Sequence, residues 1–343
     1  YMMGTATGAL FTSSVFMSVQ ATGAMALVVA SVPQVTSGEN KDASLFALAI
    51  LTGIFMLVAG LFRLGSLIRF VPNAVMTGFI NAVAVNIILG QLSDFTGYDS
   101  SGSNRITQTI DTIRNLDQAD EATLLIGITT IILILTLEKT RLKSLGLVVA
   151  MIVASLLVVV FDAQTVAVVS DVATIPDSLP RPALPPLSLF FPLIIPAISL
   201  AFVGLVQGAG ISKSYANPDG EFPNASGDFV GQGIANMVAG LFQGMPVGGS
   251  MSATSLVTNA GARSRFANIC AGIVMAIVIL LFGTAVSKIA MPALAGLLIV
   301  VGFRTLKPDQ VRMVWKTGKE QQVVMGITFF TCILIPLQYA VLL

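Results

Sequence analysis

The 343-residue chain contains no histidine and only two cysteines. The absence of histidine excludes His-activated nucleophiles, His general bases and His metal ligands from this sequence. Cys270 and Cys332 lie far apart in apolar runs, a spacing typical of neither a zinc site nor a disulfide framework. We expect both thiols to be buried. We also expect no metal, no cofactor and no catalytic residues.

Charged residues are scarce as well. Only 10% of the residues are charged, against roughly 25% in average proteins, and 55% are apolar. With a mean hydropathy of +0.89, these values exclude a soluble globule and a disordered chain. The net charge of +1 leaves no basic surface for nucleic acid. The composition indicates an all-α polytopic membrane protein, embedded in a lipid bilayer.

Apolar runs long enough to cross a bilayer recur along the sequence. A hydrocarbon core of about 30 Å requires about 20 apolar residues in a helix. Three apolar stretches are too short to span comfortably, namely 21–33, 249–261 and 291–303. We predict spans at 43–62, 70–93, 122–137, 144–161, 187–211, 229–246, 266–287 and 321–343.

The charges in alternate loops predict the orientation. The loops on one side hold 13 Lys/Arg and 6 Asp/Glu, and those on the other side hold 5 and 11, which accounts for every charge. The basic side is expected to be cytoplasmic. The signs alternate only if 21–33 and 249–261 are half-helices that begin near mid-membrane and point in opposite directions. No ionisable side chain is then left for the membrane interior.

Both predicted half-helices open with small residues, hydroxyls and glycine. A helix N-terminus presents unpaired N–H groups and about half a positive charge, and glycine lets a ligand approach the backbone closely. Two such ends facing each other make an anion site without Lys or Arg, as in transporters with broken helices. Close helix packing through small residues is the alternative. The openings contain these predicted substrate-binding residues: Gln20, Thr22, Gly23, Gly249, Ser250, Met251 and Ser252.

Gln207 is the eighth predicted substrate-binding residue. It lies in the middle of an apolar run and needs a hydrogen-bond partner there. A helix–helix hydrogen bond and a ligand contact explain it equally well. Asn81 and Asn86 are interpreted as structural, and Asn236 as a packing or capping residue.

Several runs resemble motifs of the SulP anion transporters, a family of bacterial sulfate and bicarbonate permeases and animal relatives such as pendrin and prestin. The run 228–236 (DFVGQGIAN), with Gly240-Leu241-Phe242 and Met245-Pro246 after it, resembles the family's "GQGxAN…SGLFGG.P" hallmark. Three shorter runs agree in order: 70–79 with "IPxxVxxGF", 22–25 with "SGPTGPM" and 201–208 with "VGLxE".

The resemblance implies fourteen segments in two inverted repeats of seven, with a core domain that carries the anion and a gate domain. It predicts core residues at 1–65 and 187–287 and gate residues at 66–186 and 288–343. It also implies a homodimer, and a chain that lacks the family's first helix, its fourteenth and a C-terminal STAS domain. We expect a multi-pass protein of a bacterial inner membrane.

Four alanine or glutamine positions depart from the family pattern. Ala21 and Ala24 stand where the first half-helix of the family has prolines, and Ala253 stands where many members carry a basic residue. Gln207 replaces a frequent acidic residue. Because glutamine cannot carry a proton, this position favours anion exchange, or coupling through the first helix, over proton coupling at residue 207.

The expected function is transport or exchange of a small anion such as sulfate, bicarbonate, chloride or a dicarboxylate, by elevator-like alternating access. Two helix ends supply about one positive charge, which favours a monovalent anion over sulfate unless other groups contribute. The alternatives are an anion channel or a non-transporting, voltage-responsive membrane protein, and further a nucleobase permease, although such permeases usually carry acidic site residues. An intramembrane enzyme is disfavoured because no His, mid-membrane carboxylate or paired Cys is available.

Overall fold

A computed structural model describes residues 2–65, 72–102, 105–142, 145–161, 163–172 and 179–335. In these ranges the regular structure is helical apart from two short strands, β1 (Val19–Gln20) and β2 (Gly248–Gly249). The helices are α1 (Met2–Phe11), α2 (Gly23–Ala30), α3 (Pro33–Thr36), α4 (Lys41–Leu61), α5 (Asn73–Gly90), α6 (Leu92–Thr96), α7 (Arg105–Arg114), α8 (Glu121–Leu137), α9 (Leu145–Val160), α10 (Val169–Val172), α11 (Ile194–Ser214), α12 (Ala225–Leu241), α13 (Met251–Asn259), α14 (Phe266–Ser287), α15 (Met291–Thr305), α16 (Pro308–Thr317) and α17 (Lys319–Leu334).

Helices of membrane-spanning length account for much of this structure. Helices α8 and α9 are shorter and apolar. The predicted all-α polytopic membrane fold is therefore confirmed, and the predicted spans 43–62, 122–137 and 266–287 correspond closely to α4, α8 and α14. Within the described ranges, five segments are long and apolar enough to cross a membrane: Lys41–Leu61, Asn73–Thr96, Leu187–Ser214, Phe266–Ser287 and Met291–Thr317.

The predicted span 229–246 is wrong at its C-terminal end. Helix α12 ends at Leu241, because Gln243 takes a left-handed conformation (φ 60°) and the Gly244 N–H donates to the Ala239 carbonyl at 2.7 Å. This contact is typical of a helix terminus. The residues that follow lead into β2 instead of extending the helix. Residues 70–71 and 336–343, at the ends of two other predicted spans, lie outside the described residues.

The chain divides into two compact units, and each is described by itself. Unit 1 comprises the described residues of Tyr1–Pro72, Ser178–Leu280 and Ile335–Leu343, and unit 2 those of Asn73–Asp177 and Leu281–Leu334. Helix α14 passes from one unit to the other and contains a residue with non-helical dihedral angles, Phe282 (φ −122°, ψ 15°). The division does not establish which unit carries a substrate, so the core and gate assignment stays a prediction.

Helices α4 and α12 pack backbone against backbone in unit 1. A Cβ atom on Gly53 would lie 2.6 Å from the Gly233 carbonyl oxygen, and one on Gly233 would lie 2.6 Å from the Leu57 nitrogen. Small residues of this kind are common where membrane helices approach closely. Met17, Val19, Ile211, Ala235, Ala239 and Val247 form a buried apolar cluster beside this contact. Through Val19 and Val247, the cluster packs β1 and the residue before β2 against α11 and α12.

In unit 2, two asparagines bind distant backbone groups. Asn81 Oδ1 accepts from the Lys307 N–H at 3.0 Å, and Asn86 Nδ2 donates to the Cys332 carbonyl at 3.1 Å. Their predicted structural role is therefore confirmed. Cys332 is buried, but the expectation of a buried Cys270 is wrong. Cys270 lies on α14, and only 6% of the most apolar stretch of that helix is buried inside the protein. The apolar sequence of α14 therefore belongs to a helix at the protein surface.

Candidate functional site

Strands β1 and β2 bring the two predicted half-helices together. They pair antiparallel, with Val19 opposite Gly249 and Gln20 opposite Gly248. The Ser250 N–H also donates to the Ser18 carbonyl at 2.9 Å. Each strand is followed within two residues by a short helix, α2 after β1 and α13 after β2. The N-termini of α2 and α13 are therefore tied to adjacent points of one small sheet.

Thr22 begins α2 as its N-cap residue. Its backbone is extended (φ −100°, ψ 153°), and its hydroxyl accepts a hydrogen bond from the Met25 N–H at 3.3 Å. Threonine is a favoured N-cap residue because its oxygen binds one of the N–H groups that the helix leaves unpaired. The N–H groups of Gly23 and Ala24 stay without a hydrogen bond among the described residues.

Ser250 begins α13 in the same way. Its hydroxyl accepts from the Ala253 N–H at 3.3 Å, and the N–H groups of Met251 and Ser252 have no hydrogen bond within the described part of the chain. Two further side chains converge on it, because Gln20 Nε2 donates to Ser250 Oγ at 3.2 Å and Ser252 Oγ lies 3.3 Å from it. Both helix starts thus present free N–H groups beside polar side chains.

Gln207 joins the first of these N-termini. The Thr22 hydroxyl donates to Gln207 Oε1 at 3.0 Å. The hydrogen-bond partner that Gln207 was expected to need is therefore another predicted site residue. Among the residues that the structure describes, no hydrogen bond forms to Gln207 Nε2, which leaves two N–H donors on the amide. The helix–helix hydrogen bond and the ligand contact left open by the sequence are therefore compatible.

The eight predicted site residues form one neighbourhood, but their roles differ. The Gly249 N–H is occupied by Gln232 Oε1 at 2.9 Å, so it is not a free donor. Gly23, Met251 and Ser252 are exposed, and Gln20, Thr22 and Gln207 are partly exposed. No charged side chain hydrogen bonds to any of the eight within the described ranges. Backbone N–H groups, hydroxyls and amides are the chemistry that this site offers, which suits a small anion.

Sequence analysis missed one buried carboxylate near this site. Asp228 was expected in a cytoplasmic loop, but it lies in α12 and is 0% exposed. The expectation that Asp228 lies in a loop is therefore wrong, since the residue is buried in the first turn of a helix. The carboxylate accepts from Ser14 N at 2.7 Å, Ser14 Oγ at 2.8 Å and Ser212 Oγ at 2.6 Å. Ser14 is 214 residues away from Asp228 in sequence. Only the position of Asp228 beside an apolar run could therefore have indicated that this carboxylate is buried.

Two other residues missed by the sequence hold the chain between α1 and β1. Arg265 Nη1 donates to the carbonyl oxygens of Ala9 at 3.0 Å and Thr12 at 2.6 Å. Asn268 Nδ2 donates to the Met17 carbonyl at 3.2 Å. Arg265 thus satisfies backbone oxygens that lack helical partners where α1 ends, and Asn268 satisfies one just before β1.

Comparison with known proteins finds one family and relatives that carry the name of sulfate transporters. The Sulfate permease family matches residues 1–328. The "Putative sulfate transporter YbaR" of Bacillus subtilis (strain 168) is 32% identical over 321 residues, covering 91% of this chain and 61% of that protein. The "Probable sulfate transporter Rv1739c" of Mycobacterium tuberculosis is 28% identical over 311 residues, covering 89% of this chain and 55% of that protein. The chain thus spans somewhat over half the length of these relatives.

Two solved structures resemble the chain along almost its whole length. The transmembrane domain of the cyanobacterial bicarbonate transporter BicA superposes with a TM-score of 0.82 at 21% identity, covering 99% of this chain and 87% of that one. The murine anion transporter Slc26a9 in the inward-facing state superposes with a TM-score of 0.85 at 17% identity, covering 99% and 64%. At these identities the likeness shows the fold.

Proposed function

Because the chain belongs to the sulfate permease family, we propose that it carries a small anion across a membrane and binds it between the N-termini of α2 and α13. The pairing of β1 with β2 is the observation that carries this proposal, since it holds two helix N-termini together without a charged side chain. The N–H groups of Gly23 and Ser252, unpaired within the described part of the chain, and the amide of Gln207 supply donors. Neither helix end would bind an anion strongly alone, but the pair adds two half-charges.

The proposed substrate is a monovalent anion such as bicarbonate or chloride. Two helix ends contribute about one positive charge in total, whereas sulfate carries two negative charges. Asp228, the buried carboxylate near the site, is an acidic group, so it supplies no positive charge that could compensate a dianion. Sulfate therefore remains the less favoured substrate of this site, and organic dicarboxylates share its charge.

We propose anion exchange as the mode of coupling. Gln207 occupies the position where the family frequently has an acidic residue, and its amide cannot release or take up a proton in this pH range. Alternating access would move unit 1, as the core domain, relative to unit 2, as the gate domain. This assignment follows the position of α2 and α13 in unit 1.

The proposed setting is the inner membrane of a bacterium, with two copies of the protein forming a homodimer. The bacterial relatives support the proposed location, and the family resemblance supports the proposed homodimer. Mass measurement of the full-length protein in detergent or nanodiscs tests the second one. A mass of two copies is expected, and a single copy would contradict it.

Transport by the full-length protein in liposomes tests the function. Uptake of labelled sulfate, bicarbonate, fumarate and uracil is measured with and without an internal counter-anion and an inward proton gradient. We expect saturable bicarbonate uptake that the counter-anion stimulates and the proton gradient does not change. Non-saturable flux driven by voltage would identify a channel, an absence of flux a non-transporting protein, and uptake of labelled uracil alone a nucleobase permease.

A further inference from the structure

One face of α12 carries three buried polar side chains, Asp228, Gln232 and Asn236. They are spaced four residues apart, so they follow one another along the same side of the helix. All three are 0% exposed. We call them the α12 ladder. None of them belongs to the predicted substrate-binding residues, and each binds a segment that lies outside regular helix or leads into a half-helix.

Asn236 holds the chain just before β2. Its Oδ1 accepts from the Val247 N–H at 2.8 Å, and its Nδ2 donates to the Val247 carbonyl at 2.6 Å. Both backbone groups of one extended residue are thus bound by one side chain. These groups need a side-chain partner, because Val247 lies outside the helices and the interior of a membrane protein holds no bulk water.

Gln232 holds β2 itself. Its Oε1 accepts from the Gly249 N–H at 2.9 Å, and Gly249 directly precedes Ser250, the N-cap of α13. The amide has almost no room to move, because a Cβ atom on Gly208 of α11 would lie 2.2 Å from Gln232 Nε2. Gly208 therefore lets α11 approach closely, and the position of Gln232 fixes the start of α13.

Asp228 holds the corresponding segment of the first half of the chain. Its carboxylate binds both the backbone N–H and the hydroxyl of Ser14, five residues before β1. Ser212 of α11 donates to the same carboxylate at 2.6 Å. The ladder therefore reaches the segment before β1 at one end and the segment before β2 at the other.

We infer that the α12 ladder positions the two half-helix N-termini and thereby sets the anion affinity of the site. Asp228, Gln232 and Asn236 are positioning residues, since they act on the anion only through Ser14, Gly249 and Val247. This inference rests on the proposed function. It deepens it by assigning the geometry of the site to residues of a neighbouring helix.

Replacing Gln232 tests the inference most sharply. Gln232→Met keeps the length of the side chain but removes the acceptor, which leaves the Gly249 N–H unpaired. In liposomes containing the full-length protein, we expect the half-saturating bicarbonate concentration to rise about tenfold, as the loss of one buried hydrogen bond does. The maximal exchange rate per folded protein should change less than twofold.

Gln310→Met is the matched control, because Gln310 is an exposed glutamine on α16 and takes no part in the hydrogen bonds described for the ladder. It should leave both kinetic values unchanged. Gln232→Asn is a second variant that keeps an amide but shortens it by one methylene, and it should also raise the half-saturating concentration. If both Gln232 variants bind bicarbonate like the wild type, or if both fail to fold, the inference is overturned in favour of a purely structural role.

A distance measurement separates this inference from the proposed function. Spin labels at Ala30→Cys and Ala260→Cys mark the C-terminal ends of α2 and α13, in a chain carrying Cys270→Ser and Cys332→Ala. Gln232→Met should shift or broaden the distance distribution, and Gln310→Met should not. A distribution unchanged by Gln232→Met contradicts positioning. An absence of bicarbonate uptake in the wild type, together with the expected shift, contradicts only the proposed function.

Discussion

At the scale of the residue, Ser250 is the most connected side chain of the candidate site. Its hydroxyl accepts from Gln20 Nε2 and from the Ala253 N–H, and it lies 3.3 Å from Ser252 Oγ. Ser250 is only 6% exposed, whereas Ser252 is exposed. Ser250 therefore completes the helix start, and Ser252 is the hydroxyl that an anion can reach.

Replacing Ser252 by glutamate should abolish anion transport. A carboxylate in the first turn of α13 suits the helix N-terminus, so the variant should fold. Its negative charge would occupy the position of the anion, and repulsion between like charges at about 4 Å lowers affinity by tenfold or more. Bicarbonate uptake in liposomes measures the effect. Ser252→Gln, which has the same size without the charge, is the control, and uptake by Ser252→Glu at the wild-type level would refute the site.

Replacing Gln207 by glutamate should make transport depend on pH. Burial favours the neutral form of a carboxyl group, and its ionised form would repel an anion beside Thr22. Transport should therefore fall as the pH rises between about 5 and 8. The pH profile of counter-anion exchange measures this, with Gln310→Glu as the exposed control. A flat profile for Gln207→Glu would show that residue 207 does not face the anion.

The sequence predicts site residues that are near each other in the chain better than those that are distant. Thr22 and Ser250 are recognisable because an N-cap hydroxyl precedes a small-residue helix. The burial of Asp228 is not, because its partner Ser14 lies 214 residues away and its own neighbours read as the end of a loop. Long-range hydrogen bonds of this kind have no local signature.

At the scale of the element, the length of the apolar runs places most of the apolar helices correctly and misplaces some of their ends. Helix α4 agrees with its predicted span because charge and composition change at both ends. Helix α12 ends earlier than its apolar composition suggests, because the turn at Gln243 and the Gly244 N–H close it. Gly244 and Pro246 are signals of a helix terminus in the sequence, so the extent of the apolar run alone misplaced this end. The residue that takes the left-handed conformation is Gln243, where positive φ is uncommon.

The turn between α6 and α7 should loosen in acid. Hydrogen bonds from the Ser101 N–H, the Ser101 hydroxyl and the Tyr98 hydroxyl hold the pKa of Asp111 below its ordinary value. A lowered folded-state pKa contributes stability at neutral pH, which is lost as the pH falls below about 4.

Hydrogen exchange at the Ser101 amide, corrected for its intrinsic rate, measures this stability. Exchange should speed up in the wild type between pH 5 and pH 3, a range set by the ordinary carboxyl pKa of about 3.9. Asp111→Asn should exchange faster than the wild type already at pH 7, whereas Asp117→Asn should not. Equal protection in Asp111→Asn and the wild type at pH 7 would show that the carboxylate does not hold the turn.

At the scale of the whole molecule, the sequence predicts the membrane class and the two half-helices because both follow from composition and loop charge. It does not predict that α12 binds both strand segments. The motif at 228–236 marks α12 as a family feature, but its physical meaning comes from the contacts of Gln232 and Asn236. The order of residues in a motif does not reveal which distant backbone each side chain satisfies.

Competition between anions should follow their charge. The candidate site supplies about one positive charge, so chloride should inhibit bicarbonate uptake at lower concentration than sulfate, by about tenfold. Uptake of labelled bicarbonate into liposomes at constant ionic strength measures both inhibitors. Gluconate, a large monovalent anion added as its potassium salt, is the control for ionic strength. Stronger inhibition by sulfate would mean that a cationic group outside the described contacts completes the site.

The central claim is that a small anion lies between the N-termini of α2 and α13, and bound bromide tests it most directly. Anomalous diffraction from crystals of the full-length protein grown in bromide would locate the ion. We predict a peak within about 3.5 Å of the N–H groups of Gly23 and Ser252, beside Gln207, which is lost in Ser252→Glu. A bromide peak elsewhere in the membrane region, with none at these N-termini, would contradict the account.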